Sequence, residues 1–201
     1  MNRTSTATAD MHLDSPLETQ NWRPFANWLL AIPHLVIANA LGNVANVLSI
    51  VSWFSIVFTG RMPDGIARFQ CMILRYEARA YSYVAFLRQP YPKFEFDMAD
   101  ADPGHDPLRV DFAPQPAERN RITVAFRLIL IIPAVIYTVL IAVAATLAVI
   151  IAAFAVLVTG RWPQGLRTFV LNAGRLTLRV NAYGRLLTDT YPTFTLAAAH
   201  Q

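Results

Sequence analysis

The chain has 201 residues, of which 55% are hydrophobic and only 15% charged, and its mean hydropathy is +0.36. This composition excludes a disordered chain, and it disfavours a soluble enzyme because ordinary globular domains carry roughly 25% charged residues. The single cysteine, Cys71, excludes a disulfide framework and a thiolate metal cluster. The four histidines lie too far apart in sequence to form a local ligand motif. The composition therefore indicates a membrane protein.

The N-terminal segment, residues 1–21, is polar and contains no apolar core of the kind found in signal peptides. We therefore predict a polar tail that is not a secretion signal.

Two long uncharged stretches follow. Asp, Glu, Lys and Arg are absent from residues 24–60, a run of 37, and from residues 128–160, a run of 33. A helix needs about 20 apolar residues to cross the hydrocarbon core of a bilayer. Each run is too long for one upright crossing and only just long enough for two short ones. We therefore predict a helical hairpin in each run, either transmembrane or re-entrant.

The first run carries a turn signal near its midpoint, where Asn39, Gly42, Asn43 and Asn46 cluster. The second run has no comparable signal, and a single strongly tilted helix is the alternative there. A turn inside lipid has to bury its backbone polar groups in protein or lie near an interface.

Arginines flank both runs, and Arg61 and Arg161 stand just past the predicted membrane exits. Basic residues near membrane ends favour the cytoplasmic side, so we predict that both termini and the middle segment are cytoplasmic. Arg61 and Arg161 are expected to anchor this topology, or to bind lipid phosphate or the last carbonyl groups of a helix.

The chain repeats itself with an offset of 100 residues. The repeated positions include Thr-Gly-Arg-x-Pro-x-Gly and Tyr-Pro-x-Phe motifs. Their members are Gly60, Pro63, Gly65, Tyr91 and Pro92 in the first unit, and Gly160, Pro163, Gly165, Tyr191 and Pro192 in the second. The repeat predicts membrane units at residues 22–96 and 119–196, joined by a linker at 97–118 and followed by a tail at 197–201.

These motifs carry a family resemblance. The segments TGRMPDG and YPKFEF in the first unit, and TGRWPQG and YPTF in the second, resemble those of the bacterial DUF4389 membrane proteins over roughly residues 22–196. The resemblance implies a bacterial membrane protein with paired repeats and no established activity. The first unit departs from the family pattern at Asn27, where the second has Arg127, and at Lys93, where the family tends to proline.

A helix with an apolar stripe follows each turn. Proline and aspartate at Pro63-Asp64 are typical of a helix start, and apolar residues then recur with a period of 3.6. We predict two amphipathic helices that lie in the plane of the lipid headgroups.

Each of these helices carries two arginines four residues apart, Arg75 with Arg79 and Arg175 with Arg179. Like charges at this spacing cost an isolated helix about 0.2–0.5 kcal/mol, so an anionic partner is expected. Lipid phosphate is the leading candidate. A carboxylate within the fold or on a partner protein is the alternative, and a bound substrate is the third.

Four polar residues lie inside the first uncharged run: His34, Asn39, Asn43 and Asn46. An ionisable group in an apolar span is a functional candidate, but a proton relay needs further ionisable partners, and neither run contains one. We expect a neutral His34 bonded to a backbone carbonyl that Pro33 leaves free.

The linker region alternates apolar and polar residues at 93–96 and 108–112, which predicts two short strands, and residues 194–196 could add a third. The acidic, proline-containing segment between the first two is expected to be a solvated loop.

The sequence therefore predicts a mainly α integral membrane protein with short strands in a cytoplasmic linker. Motifs of phosphate-binding, hydrolytic and metal-dependent enzymes are absent, so we predict no catalytic residue, no metal and no cofactor. The leading hypothesis is a non-catalytic scaffold or accessory subunit of the bacterial plasma membrane. Its expected partners are anionic lipid headgroups and a membrane protein or a second copy of the chain, with no nucleic acid. A small transporter, channel or lipid carrier built from the two repeats is the alternative.

Overall fold

The structure is a computed structural model that describes residues 9–99, 101–115 and 117–196. The predicted tail at 197–201 and the first eight residues of the N-terminal tail lie outside this range. The elements, in chain order, are β1 (Asp10–Leu13), α1 (Arg23–Thr59), α2 (Asp64–Val84), β2 (Leu108–Asp111), α3 (Arg121–Ala125), α4 (Arg127–Leu130), α5 (Ile132–Thr159) and α6 (Gln164–Gly184).

The first uncharged run forms one continuous helix of 37 residues, so the hairpin predicted there is wrong. The asparagines do not end the helix, because Asn43 turns its side-chain amide back onto the Asn39 carbonyl oxygen at 3.0 Å, within the same helix. Helix α1 ends only at Gly60, whose φ of 75° is left-handed and whose amide donates to the Ile56 carbonyl oxygen.

The second uncharged run also lacks a hairpin turn, and its single-helix alternative describes the structure better. The Asn120 side-chain oxygen accepts hydrogen bonds from the Ile122 and Thr123 amides and caps α3. Helices α4 and α5 then follow, separated only at Ile131. Helix α5 passes through residues 142–146 without interruption and ends at Gly160, with φ 65°.

Each long helix forms a hairpin with the amphipathic helix that follows it. Gly60 and the extended Pro63 reverse the chain, so α2 returns antiparallel along α1. Ala45 of α1 packs against Met72 and Ile73 of α2, and Asn27, near the start of α1, donates its side-chain amide to the carbonyl oxygen of Tyr83 at 3.0 Å. Helices α5 and α6 repeat this arrangement.

The two units contact each other reciprocally. Thr19, before α1, donates its amide to the Gly160 carbonyl oxygen at 2.8 Å, at the end of α5. The Trp53 indole, near the end of α1, donates to the Val124 carbonyl oxygen in α3 at 3.0 Å. Reciprocal contacts of this kind relate two units by an approximate two-fold axis. The start of each long helix therefore lies beside the end of the other, and α1 and α5 run antiparallel.

A two-stranded antiparallel sheet holds the segments outside the repeats together. Strand β1 pairs with β2, with Asp10 opposite Asp111 and Leu13 opposite Leu108. The strand at 108–111 was predicted, whereas β1 lies in the segment predicted to be a polar tail. Residues 93–96 and 194–196 form no strand, so both of those predictions are wrong. The largest apolar cluster lies where this sheet meets α2, α6 and the end of α1.

We predict that Gly160→Ala and Gly60→Ala each lower the free energy of unfolding by about 1–2 kcal/mol, because alanine is strained at a left-handed φ. Gly160→Ala should have the larger effect, since its Cβ would lie 2.9 Å from the Asn21 side-chain oxygen. Denaturant unfolding in a mild detergent measures both. Gly65→Ala is the matched control: its Cβ would meet nothing within 4 Å, and alanine favours a helix. A destabilised Gly65→Ala protein would contradict this account.

Candidate membrane-facing surface and inter-repeat cleft

The two long helices turn their large apolar side chains away from the protein. Both are long and apolar enough to cross a membrane, and only 17% of the most apolar window of α1 and 22% of that of α5 is buried. A core helix of a soluble protein would be mostly buried. The outer surface includes Phe25, Leu29, Val36, Val47 and Phe58 on α1, and Ile136, Leu140, Leu147, Phe154 and Val158 on α5.

The inner faces of the same helices carry small and polar residues. In α1 they recur at intervals of three, four or seven positions, which keeps them on one face of the helix: Asn27, Ala31, His34, Ala38, Ala45 and Ser52. In α5 the buried residues are mainly alanines. Small side chains allow close approach of a neighbouring helix, as in membrane helix pairs. The long helices are therefore amphipathic in the reverse sense, apolar outside and small or polar inside.

Helix α2 is a core helix, and not the surface helix that its period predicted. Thirteen of its 21 residues are buried, including polar Gln70, Glu77 and Ser82, because α1 covers one side and strand β2, helix α6 and the linker cover others. Helix α6 is packed in a similar way against α5 and β1. The predicted apolar stripe of α2 is confirmed, but the residues on the opposite side of the helix contact protein.

The Arg79 guanidinium binds carboxylates of the acidic linker. Its Nη1 donates to Glu95 at 2.7 Å and its Nη2 to Asp102 at 2.9 Å. The Arg88 guanidinium pairs with Asp106. The Asp102 and Asp106 side chains are only 2% and 8% exposed, so these two carboxylates are buried. The rest of the segment agrees with the predicted solvated loop, since its exposed residues are Asp97, Met98, Ala101, Gly104 and His105. For Arg79 the structure supports the internal-carboxylate alternative.

The other three arginines of the two pairs also point into the fold. Arg75 donates to the Ala99 carbonyl oxygen. Arg175 donates its Nε–H to the Met11 carbonyl oxygen and lies 3.0 Å from the Asp10 carboxylate. Arg179 donates to the Ala9 and Thr195 carbonyl oxygens, at 3.2 and 3.1 Å. The segments outside the repeats thus bind the cations of the amphipathic helices.

Arg61 and Arg161 remain at the surface. Arg161 donates to Glu18 at 2.6 Å, with both side chains more than 60% exposed. The hydrogen bond and charge of Arg161 lower the pKa of the Glu18 carboxyl. Arg61 is exposed, and its guanidinium makes no hydrogen bond or ion pair within the part of the chain that the structure describes. Both guanidinium groups are therefore open to the surroundings of the protein.

His34 lies in an aromatic cluster. Its Nδ1 is hydrogen-bonded to the Tyr76 hydroxyl at 2.8 Å, and its ring stacks on Phe94 at 4.3 Å. The predicted bond to the backbone carbonyl that Pro33 leaves free is therefore wrong, because α2 brings a tyrosine hydroxyl to this face; the backbone carbonyl that approaches the ring is that of Pro92. Burial raises the pKa of Tyr76 to about 12, which keeps the hydroxyl neutral.

The Tyr-Pro-x-Phe motifs close each unit over the start of its long helix. In the first unit Tyr91 and Phe94 contact His34. In the second, Phe194 meets Tyr137 edge-on at 5.1 Å, and Tyr191 packs against Tyr183. Pro92 and Pro192 are both buried. These repeated residues have a structural role that the spacing alone did not reveal.

The second unit contains a buried charged cluster that the sequence did not predict. Arg119 and Arg127 both donate to Asp189 Oδ1, at 2.7 and 2.6 Å, and the Arg127 guanidinium stacks 3.8 Å from the centre of the Tyr183 ring. Burial alone would raise the pKa of the Asp189 carboxyl, but hydrogen bonds from Arg119 and the Asn120 amide and the two positive charges lower it overall. The sequence does contain a signal for this cluster. The residues 100 positions earlier in the first unit, which we call the mates of these three, are Thr19, Asn27 and Gln89, and all are neutral.

Two cavities lie in a cleft between the units. The first, about 580 Å³, lies between α2, α6 and the middle of α5; the second, about 570 Å³, lies between α1, α4, α5 and the end of α6. Asn181 and Arg185 line both cavities. Arg185 Nη2 donates to both carboxylate oxygens of Glu77, at 2.7 and 2.8 Å, so a buried ion pair joins the units where the cavities meet. We name these two cavities together the inter-repeat cleft.

The three asparagines predicted as intramembrane polar residues lie in different places in the structure. Asn46 lines the second cavity, whereas Asn39 and Asn43 are exposed and bond to each other. His34 is in the aromatic cluster, so the four intramembrane polar residues do not form one site. Among the described residues, no group of three or more His, Cys, Asp or Glu side chains is arranged to hold a metal ion.

A comparison with protein families assigns these repeats. The family described as a domain of unknown function, DUF4389, matches twice, over residues 21–95 and 121–195. The chain belongs to the DUF4389 family. Each match covers one long helix, its turn, its amphipathic helix and the Tyr-Pro-x-Phe exit, so the structural repeat and the DUF4389 unit coincide. Curated proteins and solved structures gave no match.

We predict that Asp189→Asn lowers the free energy of unfolding of this DUF4389 protein by about 3 kcal/mol, because it leaves Arg119 and Arg127 buried without a counter-charge. Asp111→Asn is the matched control, since Asp111 is 67% exposed and lies 3.6 Å from His12. Chemical unfolding at pH 7 in detergent measures both. Equal effects would contradict a special role for the cluster.

The Asp189 carboxylate also makes the free energy of unfolding depend on pH. Its pKa in the folded protein lies below the unfolded value of about 3.9, so its stabilising contribution is complete above pH 4 and is lost as the pH falls through the folded value. The difference in stability between the wild type and Asp189→Asn should therefore shrink below pH 4. A difference that stayed constant from pH 6 to pH 3 would exclude this titration.

Proposed function

We propose that this protein is a non-catalytic integral membrane protein of the bacterial plasma membrane that acts as a scaffold or accessory subunit. The single observation that carries the proposal is the reversed amphipathicity of α1 and α5. Their exposed faces are largely apolar over a length that monomeric soluble proteins rarely expose. Lipid acyl chains are the solvent that suits such a surface.

The length of the helices favours an in-plane arrangement over an upright crossing. Helix α1 is about 55 Å long, whereas the hydrocarbon core is about 30 Å thick. An upright α1 would also carry α2 into the hydrocarbon, and α2 contains Arg75, Glu77 and Arg79. If α1 and α5 lie in one leaflet, their outer faces meet acyl chains and all the charged residues stay on one side.

The buried charges support a structural rather than a catalytic role. Arg79, Arg88, Arg119, Arg127 and Arg185 each pair with a carboxylate that locks a neighbouring segment in place. Such pairs hold conformation rather than present a reactive group to a substrate. The proposed partners are lipid headgroups at Arg61 and Arg161, and a membrane protein or second copy against the apolar surface.

A lipid carrier is the second candidate, and the inter-repeat cleft favours it. Cavities of this size accept a drug-sized or acyl ligand. A carrier would exchange lipid between membranes, whereas a scaffold would retain it.

Membrane insertion is tested by replacing outward apolar residues. Val47→Asp and Leu140→Asp should each weaken membrane binding, by about 2.5 kcal/mol if the position lies deep in the hydrocarbon. We expect the wild type to resist carbonate extraction and to float with liposomes, and the double variant to be extracted. The control variant, Gln115→Asp, lies in the linker. The linker and the N-terminal segment together form what we call the polar layer, so this variant should behave like the wild type. Carbonate release of the wild type would overturn the proposal.

The in-plane arrangement is tested by side-specific labelling. Single cysteines at Gln20 and Arg61, in a Cys71→Ala background, mark the two ends of α1. In sealed vesicles of one orientation, we expect an impermeant maleimide to label both positions from the same side. Labelling from opposite sides would instead establish an upright crossing.

A further inference from the structure

We infer that the inter-repeat cleft is a binding site for a lipid-like anionic amphiphile, whose acyl chain fills the cavities and whose carboxylate or phosphate group binds Arg185. This inference rests on the proposed membrane location, and it assigns a ligand to residues that the repeat motifs do not include.

The cleft opens onto the surface that we propose faces lipid. The second cavity is lined by Ile50, Leu128 and Val135, which also belong to the exposed outer faces of α1, α4 and α5. The first cavity reaches exposed Ala142 on α5. A chain leaving the bilayer can therefore enter the cleft between α1 and α5 without crossing the polar layer.

Arg185 supplies an unused donor at the point where the cavities meet. The residue is only 9% exposed, and its Nη2 is used twice by Glu77. Its Nη1 has no hydrogen-bond partner within the described part of the chain. Buried donors are almost always paired, so an unpaired guanidinium N–H beside a cavity indicates an acceptor that enters from outside.

The charge balance of the cleft favours an anion. Glu77 and Arg185 neutralise each other, while Arg127, which lines the second cavity, shares a single carboxylate with Arg119. The immediate surroundings therefore carry one positive charge in excess. The rest of the lining is largely apolar with a few hydroxyl and amide groups, such as Ser49, which suits a chain with a compact polar head.

The site occurs once per chain despite the repeat. Position 85, the mate of Arg185, is alanine, and position 177, the mate of Glu77, is threonine. The first unit has neutral Asn27 in place of Arg127. The neutral mates show that the fold accepts threonine at the place of Glu77 and alanine at the place of Arg185.

Lipid retention tests the inference. The full chain is reconstituted in nanodiscs with equal phosphatidylglycerol and phosphatidylcholine, and lipids retained after detergent extraction are counted by native mass spectrometry. We expect the wild type to retain phosphatidylglycerol about tenfold over phosphatidylcholine, as one charge-assisted bond would give. A parallel arm with oleate distinguishes a free fatty acid from a phospholipid as the source of the anionic group.

Three variants identify the site. Glu77→Thr with Arg185→Ala removes both charges together and should reduce the preference to below twofold. Ser49→Phe keeps the charges but fills the second cavity, and it should lower the amount of retained lipid. Arg109→Ala removes an exposed cation that lies outside both the cleft and the proposed headgroup contacts, and it should leave retention unchanged.

The outcomes separate the two proposals. A wild-type protein that does not float with liposomes would refute the membrane location. A protein that floats but retains no anionic lipid or oleate, or whose preference survives both cleft variants, would overturn the cleft assignment alone. Loss of preference in Arg109→Ala instead would move the site to the surface.

Discussion

The structure depends on a reversal of polarity in two helices. Helices α1 and α5 bury alanine, serine, asparagine and histidine and expose their largest apolar side chains. In water this arrangement would be costly, at about 25 cal/mol for each Å² of apolar surface left exposed. In lipid it costs nothing, and the small inner residues let α2 and α6 pack closely.

The segments outside the repeats complete the fold. The amphipathic helices present arginines on the side opposite the long helices, and a repeat alone offers too few carboxylates to pair with them. The first unit uses Glu95, at its own C-terminal end, and Asp102, in the linker that follows it. The second uses Asp10 and the backbone of strand β1, which precedes the first unit. The β1–β2 pair then ties these two covering segments together, so linker and N-terminal segment are structural parts of one polar layer.

The sequence was sufficient for the properties that depend on pattern. The charge-free runs, the 100-residue repeat, the 3.6-residue stripe of α2 and the helix ends at Gly60 and Gly160 could all be read directly. The hairpin turn could not, because asparagines inside a helix can bond to the preceding turn, as Asn43 does with Asn39. The partners of Arg79 and His34 depend on long-range packing, which a single sequence does not encode in any local spacing. Strand β1 is four residues long and pairs with a strand about 100 residues away, so it gave no local signal either.

The two units differ in charge at and near the inter-repeat cleft. An exact repeat around a two-fold axis would place two equal sites on either side of that axis. Here Glu77, Arg185, Arg127 and Asp189 have neutral mates, and all four lie at or near the interface between the units. Those changes do not serve the fold equally in both halves, because the first unit forms the same helices without the Arg127–Asp189 pair. The second unit therefore combines a folding role with a concentration of positive charge beside the cleft. That combination gives a nearly symmetric fold a single polar end, at which the proposed amphiphile would be oriented.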